Sequence, residues 1–441
     1  MAEAHPSPQS ATGSGGSSGP AVFLHIGAPK SGTTFLQSLL WNNAATLAEQ
    51  GVLLPGGSFA AHVRATRDLR GLVPEEGDPA ADWTGAWDAL VAEIKASDAR
   101  VAVISNEVIA AADARAAARA VRSLAPLPVH VVYSARDLAG LLPSEWQEYV
   151  KHRFHYDFGH WLGEVIDGPR DQAAAAWFWR VHDIPEVLGR WSAHVPPERV
   201  HVLTVPRKGA PRTLLWERFA GIVGADPSTV DVDSARSNSS LSWTETELLR
   251  AVNHAVDDEV PMWLYHRLVT DLLALQVLPG QGEPGRVPLP PDRRAWAEVQ
   301  AKELVEAVRE AGYDVVGDLA ELLPPERGED GERPPPDPAA VVDAASHTIL
   351  ALLDRISALR QELGELHAER NEQRGTALPK LMARHMSERN PAVWRLRVGY
   401  WHMMERLKGV EPPPPPPETG DEGDGEEPED DRPRLTRRAA G

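Results

Sequence analysis

Gly27-Ala28-Pro29-Lys30-Ser31-Gly32-Thr33-Thr34 is the segment whose residue types and spacing most plainly suit chemistry, and that chemistry is the holding of an anion. Gly27 and Gly32 permit a tight backbone path, and the amides of Ser31, Gly32, Thr33 and Thr34 can point inward at the start of a helix, whose positive end favours negative charge. Lys30 adds a mobile cation, and Thr33 and Thr34 add hydroxyls. A Walker A loop places its lysine directly after the second glycine. Here Lys30 precedes Gly32 by two positions, which argues against an ordinary NTPase. A second group follows in Ala135-Arg136-Asp137-Leu138-Ala139-Gly140-Leu141-Leu142-Pro143-Ser144, where a guanidinium able to make a forked contact with phosphate stands eight residues before a hydroxyl. A third is Glu107 in VAVISNEVIA, a carboxylate just past an apolar run and a candidate general base. His152 and His155, near Lys151, are the alternatives for that role. With Asp157 and His160 these histidines superficially suggest a metal site, yet their spacing matches no zinc motif, and no metal is expected.

Such residues work only if the chain brings them to one edge. VFLHI (22–26), VAVIS (101–105), VHVVYS (129–134) and VHVLTV (200–205) read as buried parallel strands. Helical stretches lie between them at 34–49, 87–96, 113–124, 137–152 and 171–191. The alternation predicts an α/β fold: a P-loop-type parallel sheet flanked by helices, with ligands at the carboxyl edge of the strands. Lys30, Glu107 and Arg136 all fall just beyond strand ends. Trp146, Gln147 and Lys151 share the helix of Ser144; Trp146 reads as core, while Gln147 and Lys151 could face an acceptor.

At these residues the sequence resembles the PAPS-dependent sulfotransferase superfamily (PAPS is 3′-phosphoadenylyl sulfate), and the wording FLHIGAPKSGTTFLQ looks like its bacterial branch. The resemblance covers roughly residues 21–323. It implies that Lys30, Ser31, Gly32, Thr33 and Thr34 hold the 5′-phosphosulfate, with Lys30 also at the oxygen bridging phosphorus and sulfur, and that Arg136 and Ser144 hold the 3′-phosphate. It further implies transfer of a sulfuryl group to an acceptor hydroxyl on a carbohydrate, glycolipid or small metabolite, aided by a carboxylate base. Glu107 takes that role, where the hormone- and phenol-modifying branch has a histidine. Asn238-Ser239-Ser240-Leu241 looks like the family's NxSL segment, although a helix cap at Ser242 or Thr244 accounts for the same residues. Arg207-Lys208-Gly209 matches a family triplet but lies closer to its strand than the family's does. Two other readings stand beside this one: a P-loop kinase or NTPase using ATP and magnesium, and a non-catalytic sulfotransferase-like interaction protein.

The chain has 441 residues, 42% of them hydrophobic, and no cysteine, which excludes disulfide frameworks, thiolate zinc sites and cysteine nucleophiles. A net charge of −19 argues against general nucleic-acid binding. Ten of its carboxylates crowd between Glu411 and Asp431, so the remainder is less acidic than the total implies. The expected organisation is a disordered leader (1–19), a sulfotransferase domain (20–323), a proline-rich linker (324–344), a C-terminal helical extension (345–410) and a disordered acidic, proline-rich tail (411–441). Ile349, Leu352, Ile356, Leu359, Leu363 and Leu366 recur at spacings of three and four, which suits a docking helix or a short coiled coil. Residues 380–408 combine seven Lys or Arg with Trp394, Tyr400 and Trp401, which suits either a docking helix or peripheral contact with an anionic membrane or partner. No signal peptide or membrane span is expected, and a cytoplasmic location is; self-association into a homo-oligomer is left open.

Overall fold

A strand covered on both faces must be apolar on both, and VFLHI, apolar but for His25, becomes the centre of the sheet in a computed structural model. The structure describes residues 19–79, 82–235, 240–256, 259–282, 285, 287–325 and 334–373. The strands are β1 (Ala21–Gly27), β2 (Val52–Leu53), β3 (Val101–Ser105), β4 (Val129–Ala135), β5 (Val200–Thr204) and β6 (Asp314–Val316). They form one sheet in the order β2-β3-β1-β4-β5-β6, and every neighbouring pair is parallel. The fold is therefore α/β, as expected. After β1 the chain crosses towards β2 on one side, and after β4 it crosses towards β5 on the other. The gap between the carboxyl ends of β1 and β4 is thus the topological switch point, where open α/β sheets bind ligands.

Alternate residues of β1 point to opposite faces. Val22, Leu24 and Ile26 join one core with Trp87, Ile94, Leu188 and Trp191, whereas Phe23 joins another with Leu36, Leu39, Trp216 and Phe219. A third core, containing Trp146, Trp161, Phe178 and Tyr265, is built among helices. Inside it Glu145 and His182, both nearly inaccessible, approach to 3.1 Å and tie the Leu138–Lys151 helix to the Ala173–His182 helix.

His25 is fully buried among three strand ends, with Nδ1 2.8 Å from Ser105 Oγ and Nε2 3.0 Å from Ser134 Oγ. Burial pushes its pKa down to about 4. His62 is held by Pro55 O and the Ser105 amide, and burial, opposed by those backbone bonds, also pushes it down to about 4. Both folded values lie below the unfolded value near 6.5, so between about pH 6.5 and 4 the unfolded chain binds more protons. Stability is present above this window and is lost as pH falls through it. The midpoint of thermal unfolding should drop across that range in a calorimetric pH series, and His25→Gln should lower the slope by up to about 1.4 kcal/mol per pH unit. An unchanged slope would show that His25 does not titrate in this way.

Two long helices expected from periodicity are each divided. The stretch 34–49 is two helices, Thr33–Asn42 and Ala44–Glu49, because the Asn43 side chain donates to Leu39 O at 2.9 Å and accepts from the Asp231 amide at 3.2 Å. The stretch 171–191 breaks at Asp183, whose carboxylate accepts from the Glu186 amide at 3.2 Å and starts a second helix, Ile184–Ser192. β2 and β6, with two and three residues, were too short to show any periodicity.

The described residues fall into two compact units, one running through Ala345 and the other beginning at Ser346. A helix spans Pro338–Gln373 and so begins earlier than 345; proline suits the first helical position. Within it Ile349, Ile356, Leu363 and Leu366 are exposed and Leu352 and Leu359 half-buried. The basic segment 380–408, the acidic tail 411–441 and residues 1–18 of the leader lie outside the described residues. Among the described residues no helix is long and apolar enough to cross a membrane.

Candidate active site

The loop after β1 is shaped by close approach. A Cβ on Gly27, whose φ is +125°, would stand 2.6 Å from the backbone oxygen of Glu107, so the start of the loop lies directly against the residue that follows β3. Gly32 has φ +80° and caps the Thr33–Asn42 helix without any side-chain hydrogen bond to the helix amides. Among the described residues no side chain caps the N–H groups of this first turn, which suits an anion cradle. Lys30 has φ +56°, a left-handed conformation that costs a non-glycine residue roughly 1 kcal/mol. Ser31 Oγ donates to Ala28 O within the loop. Thr33 is buried, and Thr34 is exposed on the first helical turn.

Arg136 follows β4 and donates from Nη1 to Lys30 O at 3.2 Å, so the guanidinium rests on the backbone of the loop. Its Nε lies 3.8 Å from Asp137, whose Oδ1 is already used by the Gly140 amide at 2.7 Å to cap the Leu138–Lys151 helix. Ser144, half-buried on that helix, donates to Gly140 O at 2.9 Å, which leaves its oxygen lone pairs rather than its proton uncommitted. Lys30 and Arg136 therefore flank the switch point, one past each strand. Glu107 opens a short 3₁₀ turn, Glu107–Ala111, in which the Asn106 side chain accepts from the Val108 amide at 3.0 Å. Glu107 Oε2 accepts from Gln37 Nε2 at 2.6 Å, which joins the candidate base to the helix that begins in the loop.

The residue that sequence reading missed is Glu148. Its Oε2 lies 3.2 Å from Lys30 Nζ and 3.2 Å from Lys151 Nζ, and its Oε1 is 3.6 Å from His152 Nε2. Burial opposes its ionisation, but His152, Lys30 and Lys151 outweigh that and hold the carboxyl well below the usual carboxylate range. Glu148 is thus an anion that pairs with Lys30, not a ready proton acceptor. Lys151 is itself buried, and burial lowers its pKa despite the Glu148 charge. The one available signal was helical spacing: Ser144, Glu148 and Lys151 or His152 recur at steps of four and three or four, and so share a face.

The other sequence candidates fall elsewhere. Gln147 is buried, donating to Leu241 O at 2.7 Å and Thr246 Oγ1 at 3.0 Å, so it serves packing and does not face an open site. Trp146 is fully buried. His155 packs against His254 at a ring distance of 4.3 Å, whereas His152 belongs to the Lys30 cluster. Asp157 caps the Phe158–Asp167 helix through the His160 amide, and His160 lies 3.3 Å from Glu164. Among the described residues no three His, Asp or Glu side chains gather in an arrangement that could hold a metal ion. Asn238 and Ser239 lie outside the described residues. Ser242 caps the Trp243–Ala255 helix in a reciprocal box with Glu245, as the cap reading expected. Arg207 donates to Ala320 O, at the turn after β6, and Lys208 and Gly209 are exposed.

No protein-family model matches this chain, and no curated protein does. Among solved structures it is similar to a sulfotransferase from Alicyclobacillus acidocaldarius, at 14% identity and a TM-score of 0.37, over 66% of this chain and 95% of that one. At that identity and score the likeness bears on neither activity nor substrate.

Proposed function

We propose that the protein is a PAPS-dependent sulfotransferase. The observation that carries the reading is the hydrogen bond from Arg136 to the carbonyl of Lys30. It joins two cation-bearing segments that the sequence resemblance assigns to the two phosphate ends of a single nucleotide. The residues fit such a donor: open helix amides and Lys30 suit the 5′-phosphosulfate, and a guanidinium suits the terminal 3′-phosphate. Ser144, which the resemblance assigns to that second site, must turn its proton from Gly140 O to donate to the phosphate. Bound there, the donor supplies an activated sulfuryl group.

The chain's own residues then act by position and charge. Glu107 accepts the proton of the acceptor hydroxyl as the hydroxyl oxygen forms its bond to sulfur. The bond between sulfur and the bridging oxygen breaks, and its electron pair stays on the 5′-phosphate of the leaving adenosine 3′,5′-bisphosphate. Lys30 and the loop amides stabilise that developing charge. Gln37 holds the Glu107 carboxylate in one orientation. Glu148 holds Lys30 in the absence of donor and must yield part of that pairing when phosphate arrives.

The test compares two nucleotides. Adenosine 3′,5′-bisphosphate should raise the melting temperature and bind at least about tenfold tighter than magnesium-ATP, and Arg136→Ala should abolish most of that preference, since loss of a charged hydrogen-bond partner costs about 1.5–3 kcal/mol. Tighter binding of magnesium-ATP would favour a kinase or NTPase. Bisphosphate binding with no sulfate transfer from labelled PAPS to any fraction of a cell extract would favour the non-catalytic alternative.

A further inference from the structure

Beside the Glu107–Ala111 turn the surface opens into a cavity of about 370 Å³, bordered by Arg70, Leu72, Ala111, Asp113, Trp177 and Arg180. Arg70 ends the Phe59–Leu69 helix, while Trp177 and Arg180 lie three residues apart on the Ala173–His182 helix and so share a face. Arg180 donates from Nε to Ala111 O at 2.8 Å, which fixes its guanidinium against the turn through one nitrogen. The Arg70 guanidinium stands 5.9 Å from the centre of the Trp177 ring. Among the described residues neither arginine has a carboxylate within ion-pair distance. Burial and then the charge of Arg180 push Arg70 down to about 10, with Asp113 acting in the opposite sense. Asp113 is already engaged, its Oδ1 accepting from the Ala116 amide at 2.7 Å.

Two cations that repel each other, with one nearby and partly occupied carboxylate, are an unusual arrangement in a chain of net charge −19. Carboxylates are abundant in the sequence, and among the described residues none pairs directly with these guanidiniums. The ties that Arg180 makes to the turn explain its own place but not the nearness of Arg70. An anion between them would relieve the repulsion and use the forked geometry of both. Trp177 beside them offers a flat apolar platform, and the exposed Leu72 extends it.

We propose that this cavity binds the anionic group of a saccharide acceptor, a carboxylate or a sulfate, with Arg70 and Arg180 holding the anion and Trp177 covering the apolar face of the sugar ring. Calling the ligand an acceptor rests on the transfer reading above, whereas its preference for an anionic sugar rests on the cavity alone. The turn advances about 2 Å per residue, so the backbones of Glu107 and Ala111, at its two ends, stand about 8 Å apart along it.

The test uses the full chain and calorimetric titration with 4-nitrophenyl β-D-glucuronide and 4-nitrophenyl β-D-glucoside, which differ by one carboxylate, and with glucose 6-sulfate as the sulfate counterpart. The glucuronide should bind at least about tenfold tighter than the glucoside. Comparison with glucose 6-sulfate shows which anion is preferred. Arg70→Gln and Arg180→Gln should each weaken glucuronide binding by about tenfold or more, while the affinity for adenosine 3′,5′-bisphosphate stays unchanged. Should Arg180→Gln fold poorly through loss of its tie to Ala111, Arg70→Gln, which breaks no such tie, decides the matter. Equal binding of glucuronide and glucoside, or arginine variants that bind the glucuronide normally, overturns the proposal. Arginine-dependent glucuronide binding by a protein that ignores the bisphosphate leaves the cavity standing and overturns the transfer reading instead.

Discussion

Replacing Lys30 by alanine is expected to lower turnover of PAPS by about 10²-fold or more, the usual effect of losing a donor that faces charge developing in a transition state. The structure adds a reason for a large effect. Lys30 neutralises Glu148 across 3.2 Å, and that carboxylate is held ionised, burial notwithstanding, by His152, Lys30 and Lys151. Removing Lys30 therefore deletes a cation and also leaves a less compensated anion close to where the donor's phosphates would sit. The two contributions can be separated. Lys30→Ala combined with Glu148→Gln should recover part of the lost donor binding but little of the lost rate, because the repulsion goes and the stabilising charge does not return. Steady-state kinetics with labelled PAPS, together with bisphosphate titration, measures both. Near-normal turnover in Lys30→Ala would sink the assignment of the loop.

Glu107→Gln should lower kcat by about 10²- to 10⁴-fold, the range for removal of a general base, while bisphosphate affinity and KM for the donor change little. The substitution is nearly isosteric. Glutamine can still accept from Gln37 Nε2, which lies 2.6 Å from the carboxylate, so the turn and the loop packed on it keep their shape. Only the capacity to take a proton is lost. A His152→Ala variant serves as the comparison, since His152 is the histidine that stands in the Lys30 cluster. If Glu107→Gln turns over normally and His152→Ala does not, the base is the imidazole, and Glu107 is a structural partner of Gln37.

Both predictions concern residues visible in the sequence, and the reason is that their signals are local. A buried parallel strand is written in four or five consecutive apolar residues, and a phosphate loop in two glycines and a lysine after such a strand. Lys30, Glu107 and Arg136 could be placed at one edge of a sheet because each stands within three or four residues of a strand end, and parallel strands bring all such ends together. Even a helix cap at Ser242 or Thr244 was legible, and the structure chose Ser242, in a reciprocal cap with Glu245.

What the tertiary structure alone decided were pairings between segments far apart in the chain. Lys30 and Glu148 are separated by 118 positions, and nothing near either predicts the other. His25 is kept neutral by burial, where Ser105 and Ser134 bond it from two other strands, and Arg70 meets Arg180 only because separate helices end beside one turn. Gln147 and Glu148, adjacent in sequence and both polar, were indistinguishable until packing turned one inward to Leu241 and the other towards Lys30. Sequence periodicity determines where backbone elements form, because hydrogen bonding and burial along one element are local. Burial, charge and partners of a side chain depend on which elements close around it, and that is settled only when the sheet and its helices assemble.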